Sequence, residues 1–139
     1  MCILEQVREG VASPKGLWVF KAVMRSYPLS NRSEEEEITY HSLYEPRSRE
    51  EGILNSKGEY FQYIPGKKNI SRFENTLGMY CFERFGSADF YLDWVISGVV
   101  MKGFVPPGTK IKRGQMSRDK AFHVIVVEEF IPYGVVTKG

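Results

Sequence analysis

The sequence is poor in the residues that usually announce a chemistry. Among 139 residues there are two cysteines, Cys2 and Cys81, and two histidines, His41 and His123. Two cysteines so far apart do not make the disulfide framework of a small secreted domain. Both read as free thiols in a reducing cytoplasm, and Cys81, set in an apolar run, as a small core residue. A zinc site would need both histidines and both cysteines at spacings that match no metal-binding pattern, so no metal is expected. No Gly-x-Ser-x-Gly elbow and no glycine-rich phosphate loop occurs. No uninterrupted apolar run is long enough to span a bilayer, which takes about 18 residues or more. The opening Met1–Arg8 lacks a basic stretch followed by an apolar one, so no secretory signal is read there and a cytoplasmic location is expected.

There is also little net charge. The formal sum is +2, but neutrality is global and not local. Glu34 to Glu51 carries −5, and Lys102 to Lys120 carries +5. The plainer reading is of solvated loops and strand faces, or of partners that meet within the fold. The sharper one gives the basic stretch a phosphate-bearing ligand or nucleic acid. Nucleic acid is not the expected partner, because no helix-turn-helix, zinc-finger or RNA-recognition signature is present.

What the chain does have is apolar and aromatic material, 42% and 14% of its residues. That is enough for a core, and at this length one domain over 1–139 is expected. Leu17 to Arg25 alternates as a strand: Trp18, Phe20, Ala22 and Met24 share one face, and Leu17, Val19, Lys21, Val23 and Arg25 the other. Further strands are expected at 38–44, 59–64, 78–85, 99–105, 109–113 and 121–130. Pro132, Tyr133 and Gly134 are expected to break the last of these. Residues 87–97 read as the main helix, with Ser87 as N-cap, Phe90, Tyr91, Trp94 and Val95 as its apolar stripe and Gly98 as its stop. Ile3, Leu4 and Val7 fall at helical spacing, which suggests a short N-terminal helix ended by Gly10. The expected fold is α+β, a mainly antiparallel twisted sheet of six to seven strands with one main helix. The strand–helix–strand unit at 78–105 is its candidate parallel crossover.

Candidate site residues are few. His41 lies between Tyr40 and Ser42, residues able to orient an imidazole. His123 alternates with Ile125 and Val127 and reads as a half-buried strand residue with one hydrogen bond. Glu128 and Glu129 close an apolar strand and point to opposite faces, so at most one faces a cleft. Tyr40, Tyr44 and Tyr80 belong to an aromatic concentration between Tyr40 and Trp94. A tyrosine-lined cleft suits a flat ligand or a protein interface.

Gly78-Met79-Tyr80-Cys81-Phe82, followed by Ser87-Ala88 opening a helix that carries Tyr91, resembles the strand–helix segment of ADP-ribosyltransferase-like folds over residues 78–108. The wider pattern also resembles small proteins of phages and other mobile elements. The resemblance implies a dinucleotide cleft with Tyr80 beside a nicotinamide. Arg25 or His41 would act on the early strand, Glu128 or Glu129 on the late one, and NAD would be the cofactor. Neither Arg25 nor His41 sits in that family's usual motif, and the glutamates stand at the end of their strand instead of its start. Two expectations follow: a non-enzymatic binding or accessory domain that needs no cofactor and uses a tyrosine-rich cleft or surface, or an ADP-ribosyltransferase-like enzyme or degenerate relative. A small ligand, a protein partner and a homo-oligomer are all compatible with the sequence.

Overall fold

A computed structural model describes residues 4–26, 39–41, 62–74, 77–92, 98–116 and 123–137. Nine strands and one helix are present among them: β1 Leu4–Val11, β2 Leu17–Ser26, β3 Thr39–His41, β4 Asn69–Ile70, β5 Met79–Cys81, α1 Phe85–Tyr91, β6 Gly98–Val105, β7 Lys110–Met116, β8 His123–Val127 and β9 Glu129–Val136. They form two sheets in place of the expected one, in the orders β1-β7-β8-β5 and β3-β2-β6-β9-β4. Every pairing between strands is antiparallel. The parallel crossover read at 78–105 is therefore corrected: β5 and β6 lie in different sheets.

The chain changes sheet five times, and three of these connections are short: between β1 and β2, between β6 and β7, and at Glu128 between β8 and β9. Corners of this kind let two sheets share one interior. Alternation sends Val19 and Val23 of β2, Met101 and Val105 of β6, Met79 and Cys81 of β5, Ile111 of β7 and Ile125 and Val127 of β8 into that interior, with Phe130 of β9. The segment 62–70 then straps the five-stranded sheet. Gln62 bridges His41. Tyr63 N–H donates to Tyr40 O at 2.8 Å, and Gly66 N–H to Pro132 O at 2.7 Å. Asn69 and Ile70 pair with Phe130 and Glu129. The strap ties the β3 edge to the β9 side, so the sheet curls over Tyr63, whose buried ring meets Phe130 edge-on at 5.9 Å.

The two sheets meet along β2 and β5 through one backbone bridge. Phe20 and Phe82 exchange hydrogen bonds of 2.7 Å in both directions. One step further along β2, Lys21 replaces the missing ladder. Its buried ammonium donates to Tyr80 O at 2.7 Å and lies 5.4 Å from the Tyr63 ring centroid. Burial pulls the Lys21 amine below its ordinary value, against the opposing pull of Cys81. Lys21 was read as part of a mixed face; that mixed face is the one that packs inward.

Several local expectations are corrected. The N-terminal helix is strand β1 where the structure describes it. Between Glu5 and Arg8 the register against β7 shifts by one residue, and Gln6 takes φ 55°. This bulge breaks the two-residue period of the strand and imitates helical spacing. The main helix begins two residues earlier than read, at Phe85 after an extended Arg84 that makes no side-chain cap. Its inward residues are Phe85, Ala88, Tyr91 and Leu92, while Phe90 is exposed. Trp94, Val95 and the rest of 93–97 lie outside the described residues. Gly98 opens β6 instead of stopping the helix. Pro132 to Gly134 do not end the last strand; β9 runs through them, with a bulge where Lys102 pairs Gly134 and Gly103 pairs Pro132.

Gly103 shows why the core tolerates little. A Cβ there would come within 2.3 Å of the fully buried Phe130 ring. Gly103→Ala is expected to cost about 1–3 kcal/mol through overpacking, read as a lower urea midpoint at unchanged slope. Cys81 is wholly buried, and burial pushes its thiol up to about 11, against the pull of Lys21. In a Cys2→Ser background, Cys81 should resist a thiol reagent in the native protein and react only as fast as the chain unfolds. Prompt native labelling would contradict this burial.

Candidate functional site

The face of the four-stranded sheet that enters the core does not stay apolar along its length. In β7 the residues on that face run Ile111, Arg113, Gln115, and in β8 they run Val127, Ile125, His123, paired rung by rung. Glu83 follows Met79 and Cys81 of β5 on the same alternation, and Arg8 of β1 stands opposite Arg113. Beyond the Ile111–Val127 end, therefore, the core face becomes polar. There it lines an open groove of about 640 Å³, walled by Gln6, Arg8, Glu83, Arg113, Gln115 and His123.

Within the groove Arg113 and Glu83 form a forked pair. Arg113 Nε donates to Glu83 Oε1 at 3.0 Å and Nη2 to Oε2 at 3.4 Å. Among the described residues the side chains of Arg8, Gln6, Gln115 and His123 have no hydrogen-bond or ion-pair partner. His123 is exposed, which corrects its reading as a half-buried residue holding one hydrogen bond. The bulge at Gln6 sits at the groove wall, a common place for a device that re-aims side chains. The groove offers donors and one net positive charge. Among the described residues its lining includes no hydroxyl, thiol or amine nucleophile, and the carboxylate of Glu83 is engaged by Arg113.

The residues read from the sequence lie elsewhere. Arg25 pairs with Tyr40 and Met24 with His41 in the β2–β3 register, so Arg25, Tyr40 and His41 gather at one end of the five-stranded sheet. Tyr40 packs on the interior and His41 is half-buried. Tyr80 belongs to β5 in the other sheet, packs against the cluster under α1 and gives its carbonyl to Lys21. Tyr44 lies outside the described residues. Glu128 and Glu129 occupy the β8–β9 corner. Met24 is level with Gly98, whereas Glu129 lies past the rung that joins Phe104 to Ile131. That separation is about eight residues of strand, or roughly 26 Å. The structure thus does not bring His41 together with Glu128 and Glu129.

The glutamates hold the corner. Buried Glu128 accepts from Phe73 N–H at 2.8 Å and from Arg72 Nη1 at 3.3 Å. Glu129 takes Lys68 Nζ at 3.2 Å and Arg72 Nη1 at 3.0 Å. The basic stretch from Lys102 is divided between faces and sheets. Lys102 covers the Trp18 ring at 5.0 Å, Lys112 covers the Phe73 ring at 4.4 Å, and Arg113 enters the groove. Arg118 and Lys120 lie outside the described residues, as does most of the acidic stretch.

Neither the family models, nor the curated proteins, nor the solved structures compared with this chain contain a match to it. Among the described residues no group of three or more histidine, cysteine or acidic side chains is placed to hold a metal, and no helix is long and apolar enough to cross a membrane.

Burial alone would raise the Glu129 carboxyl, but hydrogen bonds and attraction from Lys68 and Arg72 outweigh it and hold the group below its ordinary 4.5. Its stabilising contribution is complete above that value and is lost as the pH falls through and below it. Glu129→Gln should therefore flatten the acid limb of a melting temperature–pH curve. Parallel curves for variant and parent would show that the corner does not carry this linkage.

Proposed function

We propose that this chain is a binding domain whose groove receives the anionic group of a small ligand. The observation that carries this reading is the set of unengaged donors at the groove: Arg8, Gln115 and His123 line one concavity, and their side chains spend no hydrogen bond among the described residues. Arginine donors directed at a carboxylate or phosphate form forked, charge-assisted bonds. Arg113, already held by Glu83, keeps a second guanidinium beside the first. A ligand that binds through its anion and through Gln115 and His123 would complete what the sheet leaves unpaired. Binding, and not turnover, is favoured because the described lining presents donors without a free nucleophile or a free carboxylate.

The test is a thermal-shift and calorimetric panel of carboxylates, sugar phosphates, nucleotides and NAD. A binder should raise the melting temperature in proportion to saturation. Arg8→Ala should weaken it by about tenfold or more, in line with ~1.5–3 kcal/mol for a hydrogen bond to a charged group, and leave the unliganded stability nearly unchanged. NAD binding that is indifferent to Arg8 but lost in Tyr80→Ala would instead support the transferase-like reading. No response from any member of the panel would remove the groove as an anion site.

A further inference from the structure

Among the described residues, α1 covers only half of the outer face of the five-stranded sheet. Phe20 and Ala22 of β2, Val100 of β6 and Val136 of β9 pack beneath α1 with Ala88 and Leu92. The other half of the same face carries Trp18 of β2, Phe104 and Lys102 of β6, Ile131 and Tyr133 of β9 and Ile70 of β4, by the alternation and the registers that join these strands. Trp18 is 43% exposed, Ile70 47% and Tyr133 63%. The three rings form one cluster, with Trp18 5.0 Å from Phe104 and 4.9 Å from Tyr133. The β9 bulge turns Tyr133 outward, and Phe104 lies flush on Gly16, where a Cβ would come within 2.1 Å of the ring. An ordered apolar stripe across four strands, with aromatic rings on three of them, is more than scattered surface apolarity. Tryptophan and tyrosine are also the side chains that anchor protein interfaces.

The rim identifies the occupant. Lys15 stands in the turn beside Gly16 and Phe104. Lys67 follows Gly66, which bonds to Pro132 next to Tyr133. Lys68 and Arg72 flank Ile70, and Lys102 lies within the stripe. Four cations thus border it and a fifth lies within it, against the two carboxylates of Glu128 and Glu129, which pair with Lys68 and Arg72. A second copy packed face to face would set this basic rim on itself. A stacked base is poorly served too, because Lys102 covers the Trp18 ring while Phe104 and Tyr133 crowd its sides. We propose that the stripe docks an acidic polypeptide segment bearing apolar side chains, which pack on Trp18, Phe104 and Tyr133 while its carboxylates meet the lysines. This site is independent of the groove on the other sheet.

The experiment uses the full chain and three fluorescently labelled probes: a short synthetic peptide of alternating acidic and large apolar residues, the same peptide with lysine for each acid, and an oligothymidylate. Anisotropy should show saturable binding of the acidic peptide, weakened by salt and reduced about tenfold or more by Trp18→Ala, Tyr133→Ser or Lys102→Glu. Arg8→Ala should leave it unchanged, which separates this site from the groove. Circular dichroism melts identify any variant that fails to fold, and three separate substitutions keep one such failure from deciding the matter. The proposal is overturned by absence of saturable binding, by equal binding of the lysine peptide, by tighter binding of the oligothymidylate, or by variants that bind like the parent. A Trp18-dependent dimer in sedimentation would also overturn it, in favour of a second copy.

Discussion

Lys21 places an amine inside the core, and the way the two sheets close depends on what that amine does. β2 and β5 share only the Phe20–Phe82 bridge as backbone pairing between the sheets. The carbonyl of Tyr80 lies further along the β5 edge, at the same seam, and asks for a donor. Lys21 supplies it at 2.7 Å. Burying a charged group costs several kcal/mol unless it finds such bonds, and an orphaned buried carbonyl costs about 1–3 kcal/mol. Each group thus offsets the burial of the other. The Tyr63 ring, delivered by the strap, lies on the far side of the ammonium. The same arrangement fixes Cys81 in a solvent-free position and raises both the Cys81 thiol and the Tyr63 hydroxyl by burial.

Once the sheets are joined at that seam, their faces run beyond the region they cover together. The inward face of the four-stranded sheet continues past Ile125 and Ile111 into Arg113, Gln115 and His123. The outward face of the five-stranded sheet continues past the helix into Trp18, Phe104 and Tyr133. In both places a strand keeps its two-residue alternation while the layer above it stops. Among the described residues, the groove and the stripe are ends that the core leaves open, because it is smaller than its strands are long. A bulge sits at each of them, at Gln6 and near Tyr133, and bulges bend strands and re-aim side chains where pairing ends.

The alternation of β2, the strand character of Val99–Val105 and the burial of Cys81 were legible in the sequence, because a strand buried on one face writes its period into its residues. The two bulged strands were not. One extra residue displaces every later side chain by half a period, so β1 reads as helix and β9 reads as interrupted at Pro132. The candidate site was less legible still. His123 was visible as an alternating residue, but nothing along the chain says that the sheet opposite it ends there. Arg8 and Gln115 carry no local signal at all, since each resembles an ordinary polar residue of an exposed strand. Their shared wall requires three strands to be in register.

By itself the sequence determined a mainly antiparallel, aromatic-rich fold with one main helix, a buried Cys81 and no basic stretch that resembles a nucleic-acid motif. Those properties depend on local period and composition, which each segment carries within itself. Tertiary structure alone decided that there are two sheets, that Lys21 faces inward as a clamp, that Glu128 and Glu129 hold a corner far from His41, and that Arg8, Arg113 and His123 line one groove. Each of these depends on which strands pair and where one layer ends over another. That is a property of long-range register, and no single segment encodes it.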